Sequence, residues 1–252
     1  MAEYRLVVCL QVDCLQFDFR LGLLGLHFLY PFVDNELGSW FGKVQTLVYR
    51  RIMDLQSLVQ DLKIKGWHMS ESLVPADLCD DLLSQLLLHK QTSQLNKAQI
   101  GQGVETQIQK EIRGDFIRWI DFAKIAPCEK KFIDWLDLFL QKLRPELLLG
   151  LSQFEFHYAF YPPQTHYEKH IDVFKKNSSR QISFVLYLNK NWAPTDGGEI
   201  VLFDEKDPSR ESQRFAPHFG HLVLFLSDTI YHQVTFTNRE RFSVTGWLKN
   251  RF

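Results

Sequence analysis

Seven short runs rich in Phe, Tyr, Val and Ile fill the last hundred residues of this chain and constrain its fold more than any other feature. The runs lie at 153–161, 166–174, 180–188, 199–204, 221–226, 232–237 and 241–249. Turn residues separate them, and Asp196-Gly197-Gly198, between the third run and the fourth, is typical of a β-hairpin. Seven strands in so short a stretch predict a sandwich, a barrel or a jelly roll.

The residues before about 149 have a helical pattern instead, with apolar side chains recurring at the 3.6-residue period. One predicted helix begins at Ser39 and a second at Pro75. A third covers about 129–142, and Pro145 is expected to help end it. Helices followed by strands predict an α+β chain in which the helices pack against one sheet.

Residues 1–52 fit this plan least well. The sequence MDLQSLVQDL, which begins at Met53, would make a natural start to a domain. We therefore expect 1–52 to be an N-terminal extension, either an appendage or the product of an upstream start. Residues 53–252 are then expected to form a single domain, with helical support over about 53–149 and the strand-rich core over about 150–252.

The composition limits which partners and which cellular compartment are expected. The net charge is −1, with 29 basic and 30 acidic residues, so bulk charge gives no reason to expect a nucleic acid. The longest apolar run, 21–33, is about half as long as a membrane-spanning helix and contains His27. The four cysteines form no C-x-x-C motif, which favours free thiols in a reducing cytoplasm.

The stretch THYEKHIDVF holds two His-x-acid pairs on one predicted strand. Side chains alternate between the two faces of a strand, so the four potential ligands are expected to share one face. These are His166, Glu168, His170 and Asp172. Tyr167, between the pairs, is expected to point to the opposite face. One His-x-Asp pair is no more than chance produces in a chain of this length, so alternation alone leaves open which pair, if either, binds a metal.

A third ligand and an anion-binding residue follow downstream. His232 comes after the apolar stretch HLVLFLSD and begins HQVTFTN. Two histidines and one carboxylate form the ligand set of non-haem iron(II) oxygenases, which keeps positions open for cosubstrate and oxygen. Arg241 opens RFSVTGWLK, on whose strand it shares a face with Ser243 and Trp247. An Arg inside such a cavity needs an anionic partner, and a dicarboxylate cosubstrate would supply one.

At this point the sequence resembles a known family. HID at 170–172, YHQV around His232 and RFSVTGW from Arg241 resemble the iron(II)- and 2-oxoglutarate-dependent dioxygenases. More narrowly, AFYPPQTHYEKHIDVF, RQISFVLYLNKNW, DGGEIVLF and EIRGDFIRWID are similar to the prolyl 4-hydroxylase group, which includes the oxygen-sensing protein prolyl hydroxylases. The resemblance covers about 110–250 and implies a double-stranded β-helix, or jelly-roll, core.

The resemblance also chooses between the two His-x-acid pairs. The family pattern places one Tyr three residues before the ligand His and a Tyr-Pro further upstream. Tyr167 and Tyr161-Pro162 satisfy both conditions only if His170 and Asp172 are the ligands.

The resemblance implies a role for each candidate residue. Fe(II) would be held by His170, Asp172 and His232. The C5 carboxylate of the cosubstrate 2-oxoglutarate would bind Arg241 and Tyr187, and Ser183 and Tyr161 are also implied to bind the cosubstrate. Tyr167 and Trp247 are implied to line the substrate pocket. Asp115 and Arg180 are implied to lie there too, as a polar pair that anchors a loop.

The activity implied is hydroxylation of a prolyl residue in an intracellular protein, coupled to decarboxylation of 2-oxoglutarate to succinate, with O2 as cosubstrate and ascorbate in support. Relatives act on transcription factors, collagen-like chains or components of the translation machinery, and the polar segment 96–115 corresponds to a loop that closes over the peptide. Two alternatives stay open: a dioxygenase of small molecules or nucleic acids, and a non-catalytic jelly-roll binding protein. The segment 53–252 would be the catalytic domain.

Overall fold

A computed structural model describes residues 3–9, 14–22, 25–26, 55–98, 112–173 and 179–251. The chain divides into two units, Met1–Arg50 and Arg51–Phe252. The first contains β1 (Glu3–Cys9), β2 (Cys14–Gly22) and β3 (Gly25–Leu26), which pair antiparallel in that order. The helix predicted from Ser39 lies outside the described residues.

The second unit carries three helices before the main strands. Helix α1 covers 55–65 of the described residues, α2 runs over Ala76–Gln91, and α3 over Pro127–Leu147. Helix α2 begins directly after Pro75, as predicted. None of the helices in these described segments is long and apolar enough to cross a membrane.

The prediction that Pro145 helps to end the third helix is wrong, because α3 continues through it to Leu147. Pro145 has no N–H for the carbonyl oxygen four residues earlier, so α3 continues through this position without that one hydrogen bond. The helix ends where Leu148 adopts a left-handed conformation, with φ of 51°.

Two antiparallel sheets form the core of the second unit. The strands are β4 (Trp67–Ser70), β5 (Asn96–Lys97), β6 (Phe116–Trp119), β7 (Leu151–Tyr161), β8 (Tyr167–His170), β9 (Arg180–Tyr187), β10 (Ile200–Phe203), β11 (Glu211–Phe215), β12 (Leu222–Leu226), β13 (His232–Val234) and β14 (Arg241–Asn250). One sheet has seven strands in the order β4-β12-β9-β14-β7-β6-β5, and the other has four in the order β11-β10-β13-β8. Every predicted run contains a strand, and the predicted α+β jelly roll is confirmed.

The hairpin predicted at Asp196-Gly197-Gly198 is wrong. Strand β9 belongs to the seven-stranded sheet and β10 to the four-stranded sheet, so the connection crosses from one sheet to the other. Gly197 bridges instead to Thr237, with φ of +67°, and a Cβ at Gly197 would lie 2.3 Å from the carbonyl oxygen of Phe236. Gly197 is required by this close approach, which only a residue without a side chain permits.

The helices cover the outer face of the seven-stranded sheet. Phe156 of β7 and Phe184 of β9 pack against Phe132 of α3, whose ring meets that of Phe156 edge-on at 5.2 Å. Because side chains alternate along a strand, the intervening residues of β7 face the other way. Two of these, Ala159 and Tyr161, pack with Val234 of the four-stranded sheet, so the inner faces of the two sheets enclose a separate space.

Candidate functional site

Three potential metal ligands meet between the two sheets. His170 ends β8 and lies directly opposite His232, the first residue of β13, and Asp172 follows two residues after His170. One ligand atom from each lies within 4.8 Å of the others. The Oδ1 atom of Asp172 is 3.7 Å from Nε2 of His170 and 3.8 Å from Nε2 of His232. One ion could therefore contact all three residues.

A hydrogen bond to Nδ1 fixes the orientation of each of the two histidine rings. The Nδ1 atom of His170 lies 2.8 Å from the carbonyl oxygen of Glu168, and Nδ1 of His232 lies 3.3 Å from that of Ile230. A carbonyl can only accept, so each Nδ1 carries a proton and Nε2 is the nitrogen that remains to face a metal. Burial, reinforced by the neighbouring His232, lowers the pKa of His170, which keeps its ring neutral.

Asp172 is held as a carboxylate with its two oxygens in different roles. Burial alone raises its pKa, but His232, His170, Ser183 and Trp247 together hold that pKa below its usual value. Its Oδ2 atom accepts hydrogen bonds from Oγ of Ser183 at 2.5 Å and from Nε1 of Trp247 at 2.9 Å. Oδ1 is the oxygen that faces the two histidines, so the donors on Oδ2 orient the carboxylate towards a metal.

The structure thus shows contacts of Ser183 and Trp247 that the sequence does not predict, since both donate to Asp172. The roles expected of Ser183 at the cosubstrate and of Trp247 in the substrate pocket stay predictions. Ser183 also lies 2.9 Å from the hydroxyl of Ser227, a buried residue at the end of β12 that carries no recognisable motif. These contacts depend on which strands pair, and that pairing cannot be read from the sequence of either strand alone.

Removing the Ser183 hydroxyl tests whether its hydrogen bond to Asp172 contributes to metal binding. We expect Ser183→Ala to weaken Mn(II) binding about tenfold, because the outer donor that fixes a ligating carboxylate typically contributes that much to metal affinity. Titration calorimetry measures the change, with Ser152→Ala as the matched control, since the Ser152 hydroxyl is buried without a partner in the described residues. Unchanged Mn(II) affinity in Ser183→Ala would mean that Asp172 needs no such orientation.

Tyr167 does not face away from the cluster, which corrects the prediction from simple alternation. Its ring stacks on that of His170, with centroids 3.7 Å apart and planes 17° from parallel. The cause is an irregularity in the pairing of β8 with β13: His170 pairs with His232 and Tyr167 with Val234. Three steps along β8 thus match two along β13, and the extra residue shifts the alternation.

The same irregularity separates the rival His-x-acid pair from the cluster. His166 pairs with Glu168 at 2.9 Å and stacks on Phe236, with ring centroids 4.1 Å apart. The side chain of Glu168 is 57% exposed. The four residues predicted to share one face therefore form two groups, and only His170 and Asp172 join His232.

Asp115 and Arg180, the predicted loop-anchoring pair, each have another partner in the structure, and their role as loop anchors stays a prediction. Asp115 is paired by both oxygens with Arg113, at 2.7 and 2.8 Å. Arg180 pairs with Glu155 at 2.8 Å and lies 3.6 Å above the ring of Trp247. Arg113 was not singled out from the sequence, although its guanidinium lies 4.3 Å from the ring centre of Tyr167 and so supports the residue that stacks on His170.

Arg241 is the other chemically distinctive residue of this space. It is 1% exposed, and its Nε donates to the carbonyl oxygen of Gly198 at 2.9 Å. Its guanidinium lies 4.9 Å from the ring centre of Tyr161 and 5.0 Å from that of Tyr187. Among the residues that the structure describes, no carboxylate lies within ion-pair distance of Arg241. A buried cation without an anion is costly, so the site is built for an anionic ligand.

Two buried hydroxyl groups lie beside Arg241. Within the described segments, the buried hydroxyls of Tyr187 and Ser243 make no hydrogen bond of normal geometry, and the two residues pair directly across β9 and β14. Burial raises the pKa of Tyr187 to about 12, so its hydroxyl keeps its proton and can donate. A guanidinium fork and these two hydroxyls match the oxygens of a carboxylate. From the sequence, Ser243 is predicted only to share a face with Arg241.

Comparison with known proteins gives a consistent picture. Residues 156–249 match the family model described as the 2OG-Fe(II) oxygenase superfamily. The crystal structure of a Pseudomonas putida prolyl-4-hydroxylase is 35% identical, with a TM-score of 0.69, and the match covers 79% of this chain and 100% of that one. This share and identity extend the likeness well beyond the strands that carry the ligand cluster.

Two further similarities are more limited. A Trichoplax adhaerens prolyl hydroxylase, in complex with a hypoxia inducible factor oxygen degradation domain peptide fragment, is 23% identical with a TM-score of 0.71, covers 81% of this chain and 92% of that one, and supports the fold alone. A curated relative from Xenopus laevis, Prolyl 3-hydroxylase OGFOD1, is 33% identical over 75 residues, which are 27% of this chain and 15% of that protein. The chain thus matches only a small part of that relative's length.

Proposed function

The chain belongs to the 2OG-Fe(II) oxygenase superfamily, and from this premise we propose that it is an Fe(II)- and 2-oxoglutarate-dependent prolyl 4-hydroxylase acting on an intracellular protein. The observation that carries the proposal is the buried Arg241, without an anion among the described residues and next to the buried hydroxyl of Tyr187. It supports a carboxylate-bearing cosubstrate in the same enclosed space as the ligand cluster. We assign the activity to residues 53–252, with 1–52 as an extension.

The metal is held by His170, Asp172 and His232 in this proposal. Their chemistry fits Fe(II), because two neutral imidazoles and one carboxylate leave positions for the cosubstrate and oxygen. When bound, Fe(II) with 2-oxoglutarate and O2 supplies an oxidation in which 2-oxoglutarate becomes succinate and CO2 and one oxygen atom enters a C–H bond. The protein itself positions and shields the reactants, and no general acid or base is required.

Arg241 and Tyr187 bind the C5 carboxylate of 2-oxoglutarate in this proposal, and Ser243 provides a further donor. Tyr161 covers one face of the guanidinium, which keeps water from the ion pair and strengthens it. Tyr167 holds the ring of His170 in place, and Trp247 and Ser183 orient Asp172. The side chains of this chain thus fix the orientation of both bound groups.

The substrate is a proline-containing protein in this proposal. The relative matched over its full length is named a prolyl-4-hydroxylase, and the Trichoplax relative is bound to a peptide fragment. The partial relative is named a prolyl 3-hydroxylase, so the ring position needs a direct test. Regulatory proteins and components of the translation machinery are the first substrates to try. We further propose a cytoplasmic location and ascorbate as a supporting reductant, and with a net charge of −1 we expect no nucleic-acid partner.

A peptide-dependent succinate assay tests the proposal. With Fe(II), 2-oxoglutarate, ascorbate and air, we expect proline-containing peptides from an intracellular proteome to increase succinate release at least tenfold over background. The same peptides with Ala in place of Pro are the control. Mass spectrometry should find one added oxygen on proline, and NMR should place it on C4. Succinate release that only small molecules or nucleic acids stimulate would contradict the proposal, and no release at all would favour a binding protein.

A further inference from the structure

His157 is a buried polar residue of β7 for which the proposed chemistry has no use. It is 4% exposed, and its Nδ1 atom is fully enclosed without a hydrogen-bond partner in the described residues. Its other ring nitrogen makes no hydrogen bond there either. A buried imidazole with unmet hydrogen-bonding capacity destabilises the fold relative to an apolar side chain of similar size. Such a residue is expected where a ligand completes its hydrogen bonds.

The position of His157 places it in the enclosed space between the sheets. Along β7 it alternates with Phe156 and Tyr158, which face the helices, and so shares the inner face with Ala159 and Tyr161. The ring of His157 lies 5.6 Å from that of Trp247, the residue that donates to Asp172. His157 is therefore separated from the ligand cluster by one side chain.

Trp119 connects this position to the surface. It pairs with His157 across β6 and β7, and the two ring centroids are 4.7 Å apart. Trp119 is 46% exposed, so one part of its ring is open to solvent. A substrate that enters along Trp119 would meet His157 before it reached the cluster.

The protonation state of His157 limits what it can offer a ligand. Burial, together with the nearby charges of Arg113 and Arg180, lowers its pKa to about 3. The ring is therefore neutral near pH 7, with one N–H donor and one lone pair. A prolyl residue has no backbone N–H, so the peptide backbone at the reacting ring offers mainly carbonyl acceptors. The imidazole N–H is the complementary group.

We propose that His157 contacts the substrate and that its ring N–H donates a hydrogen bond to a backbone carbonyl beside the prolyl residue. The inference rests on the proposed function, which supplies the prolyl substrate, and it adds a residue that determines how this substrate is bound. Because the contact lies beyond Trp247 from the cluster, it acts on peptide binding and leaves cosubstrate binding unchanged.

Peptide affinity, measured without turnover, tests the proposal. The protein is loaded with Mn(II) and 2-oxoglutarate under nitrogen, and fluorescence polarisation reports binding of the labelled prolyl peptide that most stimulates succinate release. We expect His157→Leu to weaken peptide binding about tenfold, the effect of one hydrogen bond, with unchanged 2-oxoglutarate affinity. His157→Gln, which retains an N–H donor, should recover most of the affinity. His221→Leu, at a histidine that lies against His218 outside the cluster, should bind as wild type.

Thermal unfolding separates this role from a structural one. The melting temperature of His157→Leu should equal or exceed that of wild type, because leucine leaves no hydrogen-bonding group unmet. A lower melting temperature with parallel losses of peptide and 2-oxoglutarate binding would make His157 structural and overturn the proposal. If His157→Leu bound the peptide as tightly as wild type, the proposed role of His157 would be wrong, while the proposed function would stand. Failure of the wild-type protein to bind any prolyl peptide would overturn the proposed function as well.

Discussion

Replacing Arg241 with leucine is expected to abolish 2-oxoglutarate binding and to leave the folded protein at least as stable. The guanidinium is buried, and its hydrogen bond to the carbonyl oxygen of Gly198 uses Nε, which leaves its terminal nitrogens for a carboxylate. A bidentate charge-assisted pair contributes about 3 kcal/mol, so the dissociation constant for 2-oxoglutarate should rise more than about a hundredfold. Titration calorimetry with the metal-loaded protein measures this change.

Stability should move in the opposite direction. A buried charge without a partner lowers the free energy of unfolding, and an apolar side chain of similar length removes that penalty. We therefore expect Arg241→Leu, in the absence of 2-oxoglutarate, to match or exceed the wild-type midpoint in urea. Wild type alone should gain stability when 2-oxoglutarate is added, because a ligand that binds only the folded state stabilises it.

Arg239 provides the matched control two residues away. Its half-exposed guanidinium pairs with Asp196 and donates to the carbonyl oxygen of Asn191, on the outside of the site. Arg239→Leu should therefore bind 2-oxoglutarate as wild type does. If Arg241→Leu turned over 2-oxoglutarate as fast as wild type, the assignment of Arg241 to the cosubstrate would be wrong.

The sheets could be predicted from the sequence where their strands are buried. The run 180–188 becomes β9, whose apolar residues pack against both neighbouring strands and the helices. Its apolar composition therefore predicts a buried strand. Strand β11, with the sequence ESQRF, was missed because it lies at the edge of its sheet and exposes mostly polar side chains. The error at Asp196-Gly197-Gly198 has a related cause, since a local turn signal carries no information about which sheet each strand joins.

Candidate residues for the site could be predicted because their chemical types recur in a fixed order along the chain. Their contacts could not. The stacking of Tyr167 on His170 depends on one irregular step between β8 and β13, and alternation along a single strand cannot contain it. The bonds from Ser183 and Trp247 to Asp172 depend likewise on pairing between β9 and β14. His157 escaped notice because an isolated histidine in an apolar run has no signature until its missing partners are visible.

Replacing Asp172 with alanine is expected to remove the metal and with it the activity. Asp172 is the one carboxylate of the cluster, and without it two neutral imidazoles remain as ligands. We expect Mn(II) affinity to fall more than about a hundredfold, beyond the tenfold to hundredfold loss typical of residues that merely support ligands. Succinate release with Fe(II) should fall to background. Asp172→Asn, which keeps the shape but not the charge, should bind Mn(II) between alanine and wild type, since it retains an oxygen that can face the ion.

Glu168 is the control for this prediction because it belongs to the rival pair on the same strand. Its side chain is largely exposed and pairs with His166, away from the cluster. Glu168→Ala should therefore bind Mn(II) and release succinate as wild type does, with both quantities measured beside those of Asp172→Ala. If Glu168→Ala lost as much metal as Asp172→Ala, the metal would sit at the other His-x-acid pair. Each variant removes one negative charge from β8 or from the residues just after it. A loss of Mn(II) affinity that occurs only in Asp172→Ala therefore cannot result from charge removal in general, and it identifies Asp172 as the ligand.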